Sequence, residues 1–140
     1  MEKEFKNAFD YKVIYVFEIN DEKHRGKVKI GDATLHTTKT IEFLAPNSRE
    51  LNQAALERIK AYTNTAGVTT KLLHTELAVR TVKEGGQVQL KAFRDHDVHA
   101  VLKNSGIKNS KIDETTGKEW FDIDLQTAEK AILAVKNNAS

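Results

Sequence analysis

An arginine on the apolar side of a helix needs an anion. The segment from Ser48 to Tyr62 places Leu51, Ala55, Ile59 and Tyr62 at helical intervals, and Arg58 falls within that stripe rather than on the polar side. A guanidinium so placed meets either a structural carboxylate or a phosphate, which it grips with two parallel hydrogen bonds. Tyr15 and Lys29 are a second candidate pair. They lie in two apolar segments separated by a polar turn, and a hairpin centred near Glu22 would pair them on one face. An ammonium beside a phenol stabilises the phenolate, which suits a general base; the plain alternative is a core aromatic. Glu119 is the third candidate, directly before Trp120 and Phe121. Bulky neighbours draw a carboxylate toward the core, and magnesium or manganese can be held by one carboxylate with water and substrate phosphate. A surface glutamate at a strand edge is the alternative there.

Other chemistries find little support. With no cysteine in the chain, disulfides, thiolate zinc sites and cysteine nucleophiles are excluded. His96 and His99 stand three apart on one helix, with His74 elsewhere, a weak metal signal; His99 near the apolar stripe also reads as a packed histidine. Gly85-Gly86 lacks the spacing of a phosphate-binding glycine loop. Net charge is only +2, so a polyanionic partner would have to be met by local clusters such as Lys23, His24, Arg25, Lys27 and Lys29, or Lys103, Lys108 and Lys111.

The elements that position these residues follow from periodicity. Lys12 to Ile19 is rich in β-branched and aromatic residues and reads as a buried strand. After the polar turn, Lys27 to Gly31 alternates, with Val28 and Ile30 on one face and Lys27 and Lys29 on the other. A polar loop follows to Pro46, and Asn47 can cap the helix that ends at Tyr62. Leu72 to Val82 reads as a third strand, with Leu73, Leu77 and Val79 on one side and His74, Glu76 and Arg80 on the other. Gln87 to Phe93 is either a strand returning across Gly85-Gly86 or the approach to a helix. Helices are expected from about Asp95 to Ser105 and from about Leu125. At 140 residues this makes one α+β domain, a small antiparallel three-stranded sheet starting with a hairpin and flanked by about three helices. No stretch is long and apolar enough to cross a bilayer, and the opening residues lack a signal-peptide core, so a cytoplasmic location is expected.

The ordered set of residues resembles the GIY-YIG endonuclease superfamily. Val13-Ile14-Tyr15 stands in place of GIY, Lys29-Ile30-Gly31 in place of YIG, Arg58 in place of the helical arginine, and Glu119 in place of the late metal-binding glutamate. Tyr62, one turn beyond Arg58, matches a tyrosine found in some members. A divergent branch with KIG, a His and Leu on a later helix (His99 and Leu102 here) and a Glu-Trp-Phe element is closer still. Val13 and Lys29 depart from the standard glycine and tyrosine.

The resemblance implies metal-dependent hydrolysis of DNA. It would give Tyr15 the general base role, Arg58 the phosphate, Lys29 support of the base or of developing charge, and Glu119 the magnesium or manganese ion, with Tyr62 and His99 as substrate contacts. The branch is often joined to helicase-like or restriction-type proteins, so the 140 residues are read as one domain with such a partner domain as an expectation. The altered GIY and YIG elements leave open a catalytically silent nucleic-acid-binding module.

Overall fold

The computed structural model describes residues 9–62, 70–109 and 120–137. Its centre is β1 (Phe9–Ile19), in which every side chain from Val13 to Phe17 is buried. A strand buried on both faces reads as a continuous apolar run rather than an alternation. β2 (Val28–Thr37) pairs antiparallel on one side of it and β3 (Thr70–Leu77) on the other, and Trp120–Phe121 adds a short fourth strand, β6, against β2. The sheet order is β3-β1-β2-β6.

Alternation along β1 sends its side chains into different cores. Ile14 and Val16 join Val28 and Ile30 of β2 and pack under α2 (Asp95–Asn104) and α3 (Leu125–Asn137), through Val98, Leu102, Ala128, Ile132 and Val135. Tyr15, Phe17 and Ile19 pack on the opposite face with Trp120, beneath Ala55 and Ile59 of α1 (Arg49–Tyr62). The fold is the expected α+β domain, with helices on both faces of an antiparallel sheet and Trp120–Phe121 as an additional edge strand.

Four local expectations change. β2 continues past Gly31 to Thr37, because Asp32 to Thr37 complete the ladder with Phe9 to Ile14 although four of these six side chains are polar. Backbone pairing, invisible in side-chain pattern, carries that half of the strand. The third strand is divided: β3 ends at Leu77 and β4 (Val79–Glu84) turns through Gly85 and Gly86, at φ +59° and +81°, into β5 (Gln87–Ala92). Glycines with positive φ suit a tight hairpin connection. A bulge opposite Val16 and Phe17 makes Leu73 the extra residue of β3, so Leu73 and Leu77 lie in different cores rather than on one face. Asn47, at φ +64°, does not cap α1 with its side chain; its Oδ1 accepts from the Thr75 N–H at 2.9 Å, and its own N–H donates to the Thr75 carbonyl. It therefore ties the start of α1 to the outer edge of β3.

Polar ties lock the second helical layer. His74 and Glu76, the polar side of β3, face α3: Glu76 bonds His74 at 2.8 Å and Lys136 at 2.7 Å. Burial opposes the charged form of Glu76, but those two partners outweigh it and hold its carboxyl below the usual range. At the start of α2, Asp32 of β2 accepts the Asp95 N–H at 3.0 Å and both Nε and Nη2 of Arg94, at 2.7 and 3.2 Å. A carboxylate on the first N–H groups of a helix is favoured by its dipole.

Burial would raise the Asp32 carboxyl, yet the Arg94 guanidinium and the Asp95 N–H hold it below its ordinary value of 3.8. A group depressed in the folded state contributes stability above its unfolded pKa and loses it as pH falls through the folded one. Asp32→Asn should therefore cost about 1–2 kcal/mol in urea denaturation at neutral pH, a figure reduced because solvent screens the half-exposed Arg94. The difference from wild type should shrink as the pH falls below 3.8; a constant difference would show that the charge is not what matters.

Candidate functional site

The face of the sheet beneath α1 carries a row of aromatic rings. Tyr15 and Phe17 project from β1 with centroids 5.9 Å apart, Trp120 meets Phe17 edge-on at 5.7 Å, and His24 of the β1–β2 turn lies 4.8 Å from Trp120. The Lys29 ammonium sits 5.9 Å over the Phe17 ring. Such a spacing is within the range of cation–π attraction. Lys29 is 4% exposed and Tyr15 2%. An ammonium is costly to bury without polar partners, which makes Lys29 an uncommon occupant of this core.

The hairpin register differs from the expected one by two residues. Tyr15 stands opposite Gly31, and Lys29 opposite Phe17, while Lys29 pairs on its other side with Trp120. Because the shift is even, Tyr15 and Lys29 still share a face. Gly31 explains how the phenol is seated. A Cβ at this position would lie 2.6 Å from the Tyr15 hydroxyl oxygen and 2.7 Å from the ring carbon that bears it. Only glycine allows the ring to lie across β2, so the last residue of Lys29-Ile30-Gly31 makes room for the Tyr15 hydroxyl.

Arg58 is exposed, not within the sealed stripe. Leu51, Ala55 and Ile59 close the face at steps of four residues, and each step turns about 40° past a full turn, which leaves Arg58 on the flank by Ile59. Among the described residues Arg58 forms no salt bridge. Tyr62 is the last residue of α1, and its side chain lies outside the described residues; Glu119, directly before Trp120 in the chain, lies outside them altogether.

His99 stands apart. It projects from α2 on the other side of the sheet, 8% exposed, and its Nε2–H donates to the Ile30 carbonyl at 2.8 Å. Its ring packs 5.2 Å from Phe121. The contact fixes the backbone of Lys29-Ile30-Gly31 from behind. Among the described residues no three His, Asp or Glu side chains converge as a metal site. His96 is 71% exposed and His74 is bonded within β3, so the histidines do not assemble.

Two polar ties were not expected from the sequence, although His24 itself belongs to the basic cluster of the turn. His24 is held by Asp21, three residues earlier, a spacing that a local Asp turn would have suggested. Asp32 had no local signal, because its partners are more than 60 residues away.

The T5orf172 domain model matches residues 12–136. The chain belongs to the T5orf172 domain family. Neither curated proteins nor solved structures gave a match. T5orf172 domains are associated with nuclease-like folds, and the match runs from β1 through α3, so Tyr15, Lys29, Gly31, Arg58 and His99 all lie inside it. The family assignment makes this a nuclease-like, nucleic-acid-related domain.

If Gly31 is required only by the Tyr15 ring, Gly31→Ala should destabilise the domain by about 1–3 kcal/mol, the usual cost of overpacking. The same substitution made in a Tyr15→Ala background should cost much less, a coupling that a double-mutant cycle of urea midpoints measures directly. Equal costs in both backgrounds would place the constraint in the backbone instead.

Proposed function

We propose that this T5orf172 domain is a metal-dependent endonuclease that hydrolyses DNA phosphodiesters. The observation that carries the reading is the seating of the Tyr15 hydroxyl over Gly31, on the same sheet face as the buried Lys29 and beneath the helix that carries the exposed Arg58. A phenol next to an ammonium is suited to accept a proton, and an exposed guanidinium is suited to hold a phosphate.

In this reading Tyr15 takes the proton of the attacking water, and Lys29 stabilises the phenolate and the charge that develops on the phosphate. Arg58 holds the non-bridging oxygens and orients the phosphorus, work that is positional and electrostatic. Glu119 is the residue we assign to a magnesium or manganese ion, because one carboxylate with water and substrate phosphate can hold such an ion. When bound, such an ion supplies Lewis-acid stabilisation of the scissile phosphate and leaving oxygen. His99, bonded to the Ile30 carbonyl, positions the strand and does not contact substrate in this reading. DNA sequence selection is left to other parts of a larger protein of helicase or restriction type, because phosphate contacts do not read bases.

One observation favours a silent DNA-binding module instead. Tyr15 and Lys29 are nearly closed to solvent, so water must reach the phenol through an opening of the site. The deciding experiment is nicking of supercoiled plasmid by the purified chain with magnesium or manganese at low salt. Nicking that falls by about a hundredfold or more in both Arg58→Ala and Glu119→Ala is expected. Binding without nicking in the wild type, weakened by Arg58→Ala, would replace the enzyme with the silent module.

A further inference from the structure

The turn between β1 and β2 holds a histidine that the proposed mechanism does not use. The His24 backbone N–H donates to Asp21 Oδ1 at 2.8 Å, and His24 Nδ1 meets the same oxygen at 2.7 Å. The hydrogen bond from His24 holds the Asp21 carboxyl below its usual range. An ionised carboxylate only accepts, so Nδ1 carries the proton and Nε2 is the ring's second polar atom. One side of the ring is fixed by Trp120 at 4.8 Å. Rotation of the imidazole is therefore restricted twice, by a carboxylate and by an indole. Its side chain keeps 16% exposure, in contrast to the buried Lys29 beyond Trp120.

The neighbours of the ring are mostly cationic. Lys23 and Arg25 flank it and are exposed. Lys27 is paired with Asp122, which ties the base of the turn to the end of β6. Trp120, on which His24 rests, is the residue that pairs with Lys29, so the turn borders the same face as the candidate site.

We propose that His24, with Lys23 and Arg25, forms a second phosphate subsite that takes a phosphodiester group flanking the one held at Arg58. The subsite rests on the nucleic-acid reading given above and extends it to how the strand is tracked along the domain. In the charged imidazole, Nδ1–H remains on Asp21 while Nε2–H donates to a phosphate oxygen, a charge-assisted bond. In the neutral imidazole Nε2 offers only a lone pair, which repels that oxygen. Binding of the phosphate thus takes up one proton at His24.

The test is fluorescence anisotropy of a labelled DNA duplex in EDTA, which separates binding from cleavage. His24→Gln should weaken binding about tenfold at about pH 6 and little at about pH 8, the range over which histidine loses its charge. Arg25→Ala should weaken binding at both values and lower the slope of log affinity on log salt by about one. Trp120 is the only tryptophan, so its emission, quenched by an adjacent imidazolium, reports the charge on His24. DNA should move the quenching midpoint to higher pH in the wild type, and His24→Gln should abolish the pH dependence. Binding of His24→Gln equal to wild type at both pH values, with Arg58→Ala still impaired, would overturn the subsite and leave the nucleic-acid reading standing. No binding by the wild type would overturn both.

Discussion

Everything in this domain depends on β1 being buried on both faces while paired on both edges. Its backbone hydrogen bonds are satisfied by β2 and β3, and its side chains alternate between a layer covered by α1 and a layer covered by α2 and α3. A slip of one residue would exchange the two sets and place Tyr15 in the wrong core. The tight apolar packing of Ile14 and Val16 on one side therefore sets the position of the polar hydroxyl on the other.

The two faces divide the work. The face under α2 and α3 is held by apolar contact and by the long-range ties of Asp32 and Glu76, and His99 secures Ile30 from that side. The face under α1 carries the polar groups of the core: a phenol lies over a glycine, and an ammonium is buried above an aromatic ring. Arg58 and the His24 turn, by contrast, are accessible from outside. The polar groups of this side therefore lie at two depths, Tyr15 and Lys29 within the core and Arg58 and the His24 turn at the surface.

The family match and the residue order agree on a nuclease-like domain, and within it Lys29 lies among aromatic rings. A tyrosine in that position would bring a second phenol close to Phe17 and Trp120; lysine brings a charge on a thin aliphatic stem that the same rings can cover. The lysine side chain is therefore compatible with the aromatic row.

By itself the sequence determined the elements whose side chains carry a period: the continuous apolar run of β1, the alternation at the start of β2, and the helices that hold Ala55 and Ile59, Val98 and Leu102, and Ala128 and Ile132. It also determined that Tyr15 and Lys29 share a face, since parity survives an even change of register. Only the tertiary structure decided the register itself, the second half of β2, the bulge at Leu73, the use of Asn47 as a tie to β3, and the exposure of Arg58. Those features depend on backbone pairing and on contacts between residues far apart in the chain, such as Asp32 with Arg94 or His24 with Trp120, and neither leaves a local pattern in side-chain type.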